Sequence, residues 1–100
     1  MQTKITVIIH NPTDPEAFER EFPELLTIAK SLPGQLRLES AKVWPKEDGT
    51  ETPAYRTLDF YFENYDAASQ AVSVPQAGQF FQKLGEMGGT FMGLFSEVEQ

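Results

Sequence analysis

The chain has 100 residues, a formal charge of −7 and no cysteine, which bounds it to one domain with a single hydrophobic core. With 8 basic against 15 acidic residues it lacks the surface that nucleic acid or an anionic membrane would need, and the missing thiols remove disulfides, thiolate metal sites and cysteine nucleophiles. No apolar run approaches the ~20 residues that cross a bilayer, and M-Q-T-K-I-T-V-I-I-H enters a strand pattern without a signal-peptide core, so a cytoplasmic protein is expected.

Ile5 to His10 is an apolar run closed by Asn11-Pro12. Ile5, Val7 and Ile9 share one face and Thr6, Ile8 and His10 the other, the pattern of a central strand covered on both sides. Thr13 or Asp14 then caps a helix with Pro15 in its first turn. Phe18, Phe22, Leu25, Leu26, Ile28, Ala29 and Leu32 form its apolar stripe, Pro23 is expected to kink or split it, and Pro33-Gly34 ends it. Gln35 to Trp44 alternates in mixed polarity, as an exposed strand does, and the charged stretch Pro45 to Pro53, with its Asp48-Gly49 turn, reads as a hairpin loop.

Ala54 to Glu63, A-Y-R-T-L-D-F-Y-F-E, is the most informative stretch. Alternation places Arg56, Leu58, Phe60 and Phe62 on a helix-packing face and Tyr55, Thr57, Asp59 and Tyr61 on the other. Asn64 or Asp66 caps a helix holding Ala67, Ala68, Ala71 and Val72, and Pro75 to Glu86 makes a second short one. Gly85, Gly88 and Gly89 loosen the approach to a last strand, Thr90 to Val98.

This order, β-α-β-β-α-β with one additional short helix, predicts an α+β, ferredoxin-like fold in which the helices cover one face of a four-stranded antiparallel sheet. The uncovered apolar face is a liability in a monomer, and two such faces paired about a two-fold axis close into a barrel. A homodimer is therefore expected.

In this arrangement the chain resembles the EthD family, within the dimeric α+β barrel group. The likeness runs through I-T-V-I-I-H and the F-E-R-E-F helix, S-L-P-G before the second strand, L-D-F-Y-F-E-N-Y-D-A-A-S-Q-A, S-V-P-Q-A-G-Q and the closing G-G-T-F-M-G-L-F-S-E. Many relatives carry a His-x-Pro-Leu segment in the first helix; here Leu25, Leu26, Thr27 and Ile28 stand there, with Leu25 in place of the histidine. The resemblance implies a small, mostly apolar ligand held between sheet and helices. The wider group includes cofactor-free monooxygenases, isomerases and haem-degrading enzymes, and fold alone does not select among them.

Among candidate groups, Asp59 on a strand feeding a closed space suits proton abstraction or a hydrogen bond to a substrate hydroxyl, set against a plain ion pair with Arg37 or Arg56. His10 is the only histidine. Taking the first and third strands as parallel neighbours brings it level with Tyr61 and Phe62, where a His, Tyr and Asp cluster could move one proton on a phenolic or quinone-like ligand. Tyr55, Tyr61, Thr57 and Trp44 are candidate ligand contacts, set against ordinary packing. No phosphate loop is present, one histidine without cysteine makes a poor metal site, and no cofactor is expected. Two functions compete: a cofactor-independent oxidoreductase or proton-transfer enzyme acting on a small aromatic metabolite, and a non-catalytic accessory or ligand-sequestering dimer.

Overall fold

Strand β1 (Thr3–His10) lies inside the sheet, with its neighbours set by where the helices return the chain. The computed structural model describes all residues from Met1 to Gln100. After β1 come α1 (Pro15–Lys30), β2 (Gln35–Lys42), β3 (Ala54–Phe62), α2 (Tyr65–Ala71), α3 (Pro75–Glu86) and β4 (Phe91–Glu97). The sheet order is β2-β3-β1-β4, and β1 pairs antiparallel with both β3 and β4, as β2 does with β3. This is the predicted ferredoxin-like fold.

The expectation that the first and third strands run parallel is overturned. Helix α1 carries the chain from β1 to β2, two places away, and β3 fills the gap between them by a hairpin from β2, which reverses its direction. Lys4 therefore lies opposite Tyr61, and His10 lies opposite Ala54 at the other end of the strand.

Local signals hold the helices where the sequence placed them. Of the alternative caps, Asp14 accepts from the Ala17 N–H and Asn64 from the Ala67 N–H. Helix α1 continues through Pro23 without splitting, because Phe18, Phe22, Leu25 and Ala29 bury one continuous stripe that outweighs a lost backbone bond. It ends in a turn where Gly34 takes φ +80, a conformation open to glycine at little cost. Strand β2 ends at Lys42 rather than Trp44, with one more cross-strand bond from the Val43 N–H to the Tyr55 carbonyl before Pro45, which has no N–H to donate.

The core lies on the helix side. Ile5, Val7 and Ile9 from β1 and Leu58, Phe60 and Phe62 from β3 meet Phe18, Phe22, Leu25, Phe80 and Leu84. Phe60 meets Phe80 edge to face at 5.8 Å, and Phe81 stacks on Phe91 of β4 at 4.9 Å. A shortest dimension of 17 Å accommodates one sheet and one layer of helices. The opposite face of the sheet is bare.

Candidate functional site

The bare face is ordered by register. Across β2, β3, β1 and β4, one row reads Arg37, Tyr61, Lys4, Ser96; the next reads Glu39, Asp59, Thr6, Leu94; the third reads Ala41, Thr57, Ile8, Met92. One end of the face is thus ionic and the other apolar. Leu94 and Met92, 44% and 51% exposed, are uncovered.

Asp59 and Tyr61, two positions apart on β3, share the ionic end. Thr6 donates to Asp59 Oδ1 from the facing position on β1, and Lys4 Nζ stands 3.7 Å from the same oxygen. The Tyr61 hydroxyl donates to Glu39 at 2.8 Å, while the Arg37 guanidinium lies 4.1 Å and Lys4 5.9 Å from the centre of its ring. Asp59 is therefore paired with Lys4, not with Arg37 or Arg56, which engage Glu39 and Glu19. Both contacts use Oδ1, and no hydrogen bond within the chain engages Oδ2, which keeps its capacity as an acceptor. Beside this cluster a groove of about 690 Å³ is bounded by Lys4, Arg37, Tyr61, Gln2 and the last residues of the chain.

The other expected site residues separate. His10 is six residues from Lys4 along β1, about 20 Å at the rise of an extended strand, and its Nδ1 is 3.0 Å from Thr90 Oγ1. It does not join Asp59 and Tyr61. Thr57 sits in the apolar row beside Ile8. Trp44 lies past the end of β2 and is 85% exposed.

Tyr55 departs from the expected face. The β1–β3 register slips between Ile9, opposite Arg56, and His10, opposite Ala54, so Tyr55 is an extra residue in a bulge, which breaks the alternation and re-aims its side chain. Its ring meets Phe18 of α1 edge to face at 5.4 Å, and its hydroxyl donates to Glu19 at 3.0 Å. Arg56 donates to both oxygens of Glu19, at 3.1 and 2.6 Å. These bonds hold the Glu19 carboxyl below the usual carboxylate range; burial, and then the Glu19 carboxylate, pushes the Tyr55 phenol up.

Sequence reading missed Lys4, Thr6, Arg37 and Glu39 as the partners that fix the Asp59–Tyr61 cluster. Each is an ordinary strand residue whose role appears only when register sets it opposite β3. Leu25, which the resemblance set against a histidine, is fully buried in the core beneath α1. It offers the bare face no polar group. The chain has no cluster of three ligating side chains for a metal, and no helix is long and apolar enough to cross a membrane.

Solved structures share this fold. An EthD family protein from Bacillus halodurans C-125 superimposes with a TM-score of 0.84 at 18% identity, covering 98% of this chain and 100% of that one. SnoaB, a cofactor-independent oxygenase from Streptomyces nogalater, matches at TM-score 0.70 and 15% identity, over 99% of this chain and 94% of its own. A dimeric ferredoxin-like protein of unknown function from Jannaschia sp. CCS1 matches at TM-score 0.72 and 18% identity, over 98% and 100%. No protein-family model and no curated protein sequence matches the chain. The resemblance to the EthD family is borne out at the level of the fold, which is what identities of 18% or less carry.

Proposed function

We propose that the protein is a homodimeric α+β barrel that encloses a small, mainly apolar or aromatic molecule between two bare sheet faces, with Asp59 and Tyr61 as its main polar contacts. The observation that carries this reading is the division of one uncovered face into an ionic end and an apolar end. Ile8, Met92 and Leu94 supply the apolar surface that two copies would bury, and the ionic end supplies groups that orient a ligand. Structures of the same fold from Bacteroides fragilis, Thermobifida fusca and Jannaschia are dimeric. Thr57 and His10 line the apolar end and the far rim of the same face, and Trp44 stands exposed past the end of β2, where a second subunit can reach it. Tyr55 is left out, because the bulge turns its ring to Phe18 of α1 on the helix side of the sheet.

In the catalytic form of this reading, a phenolic hydroxyl of the ligand donates to Asp59 Oδ2 and passes its proton there. The oxyanion that forms is stabilised by Lys4. Ionisation makes the ring electron-rich, which suits either direct reaction with dioxygen, the oxidant that accepts its electrons, or an isomerisation that only moves a proton. The accessory reading, in which the dimer binds the same molecule and leaves it unchanged, has its own support: Asp59 is already held by Thr6 and Lys4, and a leucine, Leu25, stands where the resemblance to EthD proteins implies a histidine.

Calorimetry with 1-naphthol as the probe, alongside sedimentation at micromolar concentration, tests the proposal. The expected result is a species of twice 11.3 kDa that binds the probe, with Asp59→Asn weakening it about tenfold through loss of one charge-assisted hydrogen bond. Conversion of the probe by native protein but not by the variant selects the enzyme; binding without conversion selects the accessory role. A species of only 11.3 kDa overturns the barrel, and a probe that binds both proteins equally removes Asp59 from the site.

A further inference from the structure

A second polar site lies on the other side of the sheet, at the corner where the Tyr55 bulge meets α1. A groove of about 540 Å³ runs there between the first turns of α1 and the β2–β3 edge, bounded by Pro15, Glu16, Glu19, Arg20, Lys42 and Tyr55. That volume lies in the range of small-molecule sites, roughly 300–1,000 Å³.

Its electrostatics run against those of the chain. In a protein of charge −7, Lys4, Arg37, Arg56 and Lys83 are each held in an ion pair, which leaves Arg20, Lys30, Lys42 and Lys46 without one. Two of those four line this groove. The acid deepest in it, Glu19, has both oxygens engaged by Arg56 and one also by the Tyr55 hydroxyl, so its charge is met from behind. Lys42 Nζ stands 5.8 Å from the centre of the Tyr55 ring, close enough for the ring to hold the ammonium over the groove. Arg20 projects from the opposite wall, on α1. Glu16, exposed on the same lining, is its one acid without a partner, so two unpaired cations outnumber one unpaired carboxylate beside an aromatic ring and a proline.

We propose that this groove binds a small organic carboxylate, its anionic group between Lys42 and Arg20 and its apolar body along Tyr55 and Pro15. A bidentate guanidinium contact from Arg20 and a point charge from Lys42 are complementary ways to hold one carboxylate. The aromatic side favours an anion with a flat body over a bare inorganic ion. The groove is complete within one protomer, so this site does not depend on dimer formation or on the bare face.

The test is a two-dimensional NMR titration of the full chain with sodium benzoate, with inorganic phosphate and with sodium chloride at matched ionic strength. The expected result is saturable shifts with benzoate at the amides of Glu16, Arg20, Lys42 and Tyr55, weakened roughly tenfold in the Arg20→Gln, Lys42→Gln double variant. Neither side chain is ion-paired, so the variant is expected to fold, and its amide spectrum outside the groove checks that it has. Lys46→Gln, an unpaired lysine on the hairpin loop, should leave the titration unchanged. Shifts that chloride reproduces, that Lys46→Gln weakens equally, that phosphate alone saturates, or that survive the double variant overturn the proposal.

Discussion

The two faces of the sheet handle charge differently. On the helix side, charge is kept off the core: Arg56 grips Glu19 with two bonds, lays its guanidinium 4.0 Å from the centre of the Phe22 ring, and leaves Leu58, Phe60 and Phe62 in an apolar cluster, while Lys83 pairs with Glu21 and Glu24 between the helices. On the bare face, charge is gathered at one end of the strands, and the pairs Lys4–Asp59 and Arg37–Glu39 stand at 3.7 Å without bidentate geometry. Loose, half-exposed pairs of this kind contribute about 0–1 kcal/mol. The comparison teaches that the helix face is organised for stability, whereas the ionic end of the bare face contributes little to the fold and can rearrange around a ligand at small cost.

The largest effect should come from the helix face. Phe60 is 2% exposed and packs on Phe80, and Phe60→Ala should cost about 3–5 kcal/mol through lost burial and the cavity left behind, measured by urea unfolding. A change near zero would mean that the two faces do not divide the labour as described. Leu94→Asp on the bare face is expected to do the reverse. It should leave protomer stability within about 0.5 kcal/mol while converting the sedimenting species to the protomer; a dimer that persists would place the interface elsewhere.

The smallest effect concerns the corner pair. Glu19 has a folded pKa below its ordinary value of 4.5, so the unfolded chain takes up the proton first as pH falls. Its contribution is fully present above about pH 4.5 and is lost below it as the pH passes through the folded value. Glu19→Gln should therefore reduce stability at pH 7 by less than about 1 kcal/mol, because the carboxylate is partly exposed, and the gap to native protein should close toward pH 3. Equilibrium unfolding at a series of pH values reads this directly. A gap that widens on acidification would contradict the pairing with Arg56.

Much of the fold was legible because its signals are local. Asp14 and Asn64 cap helices by reaching three residues forward, Phe18, Phe22, Leu25 and Ala29 recur at helical spacing, and Leu58, Phe60 and Phe62 alternate as one face of a strand must. These features fixed the element order, and with it the ferredoxin-like sheet and its likeness to EthD proteins. They also placed Asp59 and Tyr61 together on the bare face, since residues two apart on a strand point the same way.

What tertiary structure decided was every relation across strands. The antiparallel pairing of β1 with β3 put His10 at the far end from Tyr61, the bulge at Tyr55 turned that ring to α1, and register chose Lys4 and Thr6 as the partners of Asp59. The physical reason is that alternation specifies which face a residue occupies but not what stands opposite it. Opposition is set by hairpin length, by where α1 returns the chain and by a single inserted residue, and those are properties of the assembled sheet.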